Sequence, residues 1–201
     1  MSIALIALCV ILLGGLVIGL LWGVGIYNSL VTLRNTVKNS FAQVDVQLKR
    51  RHDLIPNLVE TAKGYMSHER ETLEAVINAR SRATQANVTV AANPGDASAM
   101  RELNQAESGL SGALSRLLVV AENYPQLKAN DTMKSLMEEL SSTENRIAYS
   151  RQAYNDAVLN YNNNRETFPN VIVANNLGFK EAEFFKIEDP AEKEAPKVSF
   201  K

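Results

Sequence analysis

The stretch LVTLRNTVKNSFAQVDVQLKRRHDLIPNLV, residues 30–59, decides the fold. Its apolar residues Leu30, Leu33, Val37, Phe41, Val44, Leu48, Ile55 and Val59 recur at steps of three and four, with His52 filling the one polar place in the series. That is the period of one face of an α-helix, whereas a strand needs alternation at every second residue. The series runs on through Ala62, Met66, Glu69, Leu73 and Val76, so one rod is expected to reach the first clear loop signal, the segment Ala86–Asp96 with Pro94-Gly95 inside it. Gly64 then reads as a mid-helix position, costing roughly 1 kcal/mol relative to Ala. Pro56 either kinks this rod or breaks it, with Asp53 as the cap of a new helix. The unbroken register through Leu48, His52 and Ile55 favours the kink.

Upstream, Ser2 to Asn28 contains no Asp, Glu, Lys, Arg or His. The 24 residues from Ile3 to Ile26 would rise about 36 Å as a helix, against a hydrocarbon core of about 30 Å. A cleaved signal peptide fits worse, because no basic residue precedes the run and the run exceeds the usual length. Residues 1–27 are therefore read as a single-pass transmembrane anchor in contact with membrane lipid. Gly15, Gly19 and Gly23 recur every fourth residue and stack along one face, a pattern suited to helix–helix association, although Gly is also common in membrane helices generally. No turn signal separates the anchor from the rod. Arg34, Lys38, Lys49, Arg50 and Arg51 all follow the span, which favours a cytoplasmic helical domain.

Downstream, a helix from about Ala97 to Asn123 ends at Tyr124-Pro125, and Asn130 or Asp131 caps another that stops before Phe168-Pro169. Short connections between long amphipathic helices make them antiparallel neighbours. The expected fold is all-α: a transmembrane helix continuing into an antiparallel bundle of three to four long helices over residues 28–187, then a disordered charged tail over 188–201. The apolar segment around Phe179, Phe184 and Phe185 is expected to fold back onto the helices. The last long helix carries Thr143, Asn145, Arg146, Ser150, Arg151, Tyr154, Asn155 and Tyr161 among many Asn residues. Buried polar groups need partners, so this stretch implies a hydrogen-bonded network within the bundle or a surface for an oligomer or ligand.

Composition narrows the chemistry. Among 201 residues there are 21 Lys and Arg against 22 Asp and Glu, a net charge of −1, which gives no basic surface for nucleic acid. One Cys and two His leave little for a disulfide or a metal site. His68-Glu69-Arg70-Glu71-Thr72 resembles a zinc motif but has Thr72 where the second His must stand, and no glycine-rich loop is followed by Lys-Ser or Lys-Thr. His52 and His68 are expected to be packed or surface residues, since neither has a visible nucleophile or convergent partner. No catalytic residue, metal or cofactor is assigned. Lys49-Arg50-Arg51 stands about 35 Å above the membrane on a straight rod, too far for headgroups, and is expected to serve a protein partner or an intersubunit ion pair with Asp45 or Asp53.

The segment Gln43 to Glu60, with Asp45, Gln47, Arg50, Arg51, Asp53, Pro56 and Asn57, followed by Lys63-Gly64-Tyr65 and His68-Glu69, resembles the signature of the LemA family. So do Thr143-Glu144-Asn145-Arg146-Ile147-Ala148, Arg151, Tyr154-Asn155, Tyr161-Asn162, Phe168-Pro169 and Gly178-Phe179. The resemblance implies a bacterial membrane protein with one N-terminal span, in the inner membrane, and a helical body without an established catalytic activity. It also hints at membrane-protease clients. The resulting expectation is a scaffold that self-associates, as a ring or larger homo-oligomer, and organises membrane proteins or the bilayer. The alternatives are a monomeric adaptor for a client such as a membrane protease and, more remotely, a hydrolase.

Overall fold

The structure, a computed structural model, describes residues 3–186; the tail expected over 188–201 lies outside the described residues. Four long helices carry the fold: α1 (Ile3–Lys63), α2 (Arg70–Ala92), α3 (Ala97–Ala121) and α5 (Asp131–Glu166), with short α4 (Pro125–Ala129) and α6 (Asn170–Asn176). There is no strand among the described residues. α1 is one helix of 61 residues, about 92 Å long. It packs closely against antiparallel α5 and α2, and α2 packs on α3.

The described side chains of α1 from residue 9 to residue 25 have no bundle over them, and the first buried one among those described is Ile26. The apolar surface that remains exposed there, Val10 to Val24, belongs to the one described helix long and apolar enough to cross a membrane. Gly15, Gly19 and Gly23 lead into Ile26 and Leu30 at steps of four and three. The glycine stripe and the bundle core therefore occupy the same side of α1.

Two expectations are corrected. The chain first reverses at residues 64–69, not at Ala86–Asp96: α1 stops at Lys63, and Ala62 accepts from the amides of both Tyr65 and Met66. Gly64 sits in this turn rather than inside a helix. Met66 is fully buried within the turn, so the apolar series passes through the reversal without losing step. Residues 86–92 are helical, and the second reversal is confined to residues 93–96, after which Asp96 caps α3 through the amides of Ser98 and Ala99. At Pro56 the helix continues, so the break does not occur. Asn130 caps α5 through the Met133 amide, as its sequence position suggested.

The core has two apolar parts. The membrane-proximal part joins Ile26, Leu30, Phe41 and Leu48 to Tyr154, Tyr161, Phe179 and Phe185, while the distal part joins Ile55, Leu58 and Met66 to Leu110, Leu117 and Leu140. Between them lies a layer of buried polar side chains.

Candidate functional site

That layer is built from seam positions. Arg51 and His52 occupy the core face of α1, and Glu107 lies on α3 between Leu103 and Leu110, four residues from one and three from the other. All three are buried, at 0%, 2% and 0% exposure. Arg51 Nη2 meets Glu107 Oε2, while Arg51 Nη1 donates to Glu144 of α5 at 2.8 Å. His52 Nε2 is 2.9 Å from Glu107 Oε1. Burial, then the charges of Arg51 and Arg80, push the imidazole down to about 4, with Asp45 acting in the opposite direction. At neutral pH the ring is therefore uncharged and donates its Nε2–H to the carboxylate. Its Nδ1, and Nε of Arg51, are buried without a hydrogen-bond partner.

Pro56 contributes to the same layer. It has no N–H for the carbonyl of His52 four residues before it, and that oxygen instead accepts from Nε of Arg80 on α2 at 2.7 Å. The motif proline thus frees an acceptor that ties α1 to α2. About two turns towards the N-terminus of α1, Asp45 accepts from Asn87 of α2 at 2.8 Å and from Lys49 at 2.7 Å.

The polar face of α5 is occupied by the chain itself. Residues 179–186 run as an irregular extended strap along α5, and Phe179, Ala182 and Phe185, every third residue, are buried. Three asparagines hold it as peptide groups would, each donating from Nδ2 and accepting at Oδ1. Asn162 pairs with both polar atoms of the Ala182 backbone, Asn155 with both of Phe185, and Asn104 of α3 with Phe184 O and Lys186 N. Tyr154 donates to Glu183 O, Tyr161 to Lys180 O and Arg165 to Phe179 O. Burial pushes both tyrosine hydroxyls up, so they remain donors. Seven helical residues separate Asn155 from Asn162, about 10.5 Å, and three extended residues span about 10 Å from Ala182 to Phe185, so the two ladders match.

The remaining motif residues lie outside. Arg50 pairs with Glu139 at 2.7 Å in an exposed bridge, while Asp53, Pro56 and Asn57 are exposed on α1. Within the chain the basic cluster Lys49-Arg50-Arg51 pairs with Asp45, Glu139, Glu107 and Glu144, and Lys49 and Arg50 keep about half of their side-chain surface exposed. Gln47, Asn145 and Arg146 line an open groove of about 810 Å³ between α1 and α5, with Val46 and the 80% exposed Tyr149 on its rim. Gln47 Oε1 is buried there without a partner. Arg151 is half-buried, and His68 is exposed. Among the described residues no group of His, Cys, Asp and Glu is placed to hold a metal ion.

Sequence reasoning did not single out Glu107, Asn104 or Arg80. Only Glu107 left a trace, as a carboxylate at a seam position between two leucines. The arrangement offers a buried ionic layer and a latched strap, and neither presents a nucleophile to solvent.

A family model described as the LemA family matches residues 40–200. Magnetosome protein MamQ 2 of Paramagnetospirillum magneticum is 29% identical over 180 residues, 82% of this chain and 66% of that protein. Magnetosome protein MamQ of Magnetospirillum gryphiswaldense is 28% identical with the same coverage. Protein LemA of Metamycoplasma hominis is 26% identical over 166 residues, 83% of this chain and 71% of that protein. The chain spans just under two thirds of the length of the magnetosome relatives.

Proposed function

The chain belongs to the LemA family, and from that premise we propose that it is a membrane-anchored helical scaffold, without catalysis, that self-associates and organises membrane proteins or the bilayer. The observation that carries the reading is the unbroken α1, which puts an apolar span and a rigid helical body on one rod. The relatives named as magnetosome proteins agree with a role at a membrane. Gly15, Gly19 and Gly23 have nothing within 4 Å of where a side chain would begin, so their face is open to another helix. Counting down α2 from the Asp45–Asn87 contact, the turn after it falls level with Asn39, about 20 Å above Ile26. Above the span that side of α1 is covered, Ile26 and Leu30 being buried, so the open part of the glycine face is the span itself. An inner-membrane location with the body in the cytoplasm follows from the basic residues after the span.

The test is the mass of the full-length protein in mild detergent, by light scattering, for the natural chain and for Gly19→Ile. The expected result is a uniform assembly that falls apart in the variant. A natural chain that is monomeric across several detergents sinks self-association. The α1–α5 groove, with Gln47, Asn145 and Arg146 in it and Tyr149 at its rim, favours a second reading: a monomeric adaptor whose groove takes one client membrane protein. In that case a client co-purifies stoichiometrically and is lost with Arg146→Glu.

A further inference from the structure

The hairpin between α5 and α6 is the lowest part of the bundle. Phe41 of α1 meets Tyr154 of α5 edge to face, with ring centroids 5.8 Å apart, and the two helices are antiparallel. Twelve residues further down α5, Glu166 is therefore level with Ser29, and the segment after it stands beside the end of the apolar span. Three contacts hold it there: α6 packs on α1, the Phe179 ring centroid sits 5.6 Å from that of Tyr27, and the Arg34 guanidinium lies over the Phe179 ring, 5.1 Å from its centroid.

The composition of this segment differs from the rest of the body. Thr167 to Phe179 contains no charged residue, although Arg165-Glu166 precede it and Lys180-Glu181 follow. Ala174 faces the bundle and is buried, whereas Phe168, Ile172 and Leu177 are exposed at 75%, 53% and 58%. These three apolar side chains continue the exposed apolar surface of the span sideways, at the depth where Tyr27 marks the passage from apolar to charged sequence. Arg34 and Lys38 follow about two and three turns higher, on the side where lipid phosphates lie.

We propose that the α5–α6 hairpin is a second membrane attachment, inserting Phe168, Ile172 and Leu177 into the interfacial zone of the same bilayer that α1 crosses. The partner is the lipid surface, held by continuity with the span, by the uncharged run and by the flanking cations. The proposal rests on the membrane reading of α1 and not on self-association.

The experiment uses the full-length chain in vesicles of phosphatidylcholine and phosphatidylglycerol whose acyl chains are brominated near the headgroup. The sole tryptophan is removed by Trp22→Phe, and a reporter is placed by Ile172→Trp, by Leu177→Trp or, as a control on the outer groove, by Tyr149→Trp. Each site is exposed, and thermal melting checks that each variant is folded. Both hairpin reporters are expected to emit further to the blue and to be quenched several-fold more than the control. Quenching no greater than at position 149 overturns the proposal, and so does a blue-shifted but unquenched reporter, which means that protein covers the patch. Trp22 of the natural chain, in lipids brominated deep in the acyl chain, separates the two readings. If Trp22 is unquenched, the span itself fails; if Trp22 is quenched and position 172 is not, only the second attachment fails.

Discussion

Pro56 and Arg80 act as a pair although neither touches the other's side chain. The proline withholds a donor from the His52 carbonyl, and the guanidinium of Arg80 supplies one from the neighbouring helix. Arg80→Ala strands that carbonyl and is expected to cost about 1–3 kcal/mol, read from the melting temperature. In a Pro56→Ala background the helix's own amide satisfies the carbonyl, so the same substitution should cost measurably less in a double-mutant cycle. An equal cost in both backgrounds refutes the pairing. His52 sets a pH dependence. Its folded form titrates at about 4 against 6.5 for a free imidazole, because burial and the flanking Arg51 and Arg80 oppose a second charge. Above pH 6.5 both folded and unfolded chains hold it neutral and its contribution is fully present. As pH falls from 6.5 towards 4 only the unfolded chain takes up the proton, so stability drops, by roughly 3 kcal/mol at most. His52→Gln should flatten the upper part of a stability–pH curve measured by denaturant unfolding, and an unchanged curve counts against the assignment.

At the scale of elements, the strap over residues 179–186 explains why α5 is so polar. A peptide segment without a strand partner leaves its amides and carbonyls to be satisfied by side chains, and Asn is the residue that offers both a donor and an acceptor in peptide-like geometry. Asn162→Leu removes two such bonds, with the Ala182 amide and carbonyl. The expected outcome is local release: trypsin should cut at Lys180 and Lys186 much faster in the variant while the helical bundle still melts cooperatively. Protection equal to that of the natural chain means the apolar side chains alone hold the strap. The helices themselves were legible from the spacing of Leu30 to Val59 and of Leu103 to Leu117, and Asn130 was legible as a cap. The reversal at Gly64 was not, because Met66 packs inside the turn at the next seam position and leaves the period intact. The polar face of α5 was visible from its Asn residues, but its partner is a segment with a three-residue period that neither helical nor strand patterning detects. Arg80 and Asn104 reach their partners from positions that look like ordinary helix surface, so only the tertiary arrangement exposes them.

The whole molecule has an apolar proximal core, a charged middle layer and an apolar distal core, strung along one helix that also enters the membrane. The charged layer discourages sliding of the helices, since a shift by one turn would bury Arg51 opposite leucines instead of Glu107. The body consequently moves as a unit with the span. From Ile26 to Lys63 there are 38 residues, about 57 Å of rigid helix, while the apolar segment of about 36 Å exceeds an ordinary bilayer core. A longer span accommodates a thinner bilayer by leaning. A lean of about 10° carries the far end of α1 sideways by roughly 10 Å, so the rod is a lever whose short arm lies in lipid and whose long arm is the body. For a span of this length, a local change in bilayer thickness of a few ångströms becomes a displacement of similar or greater size at the tip.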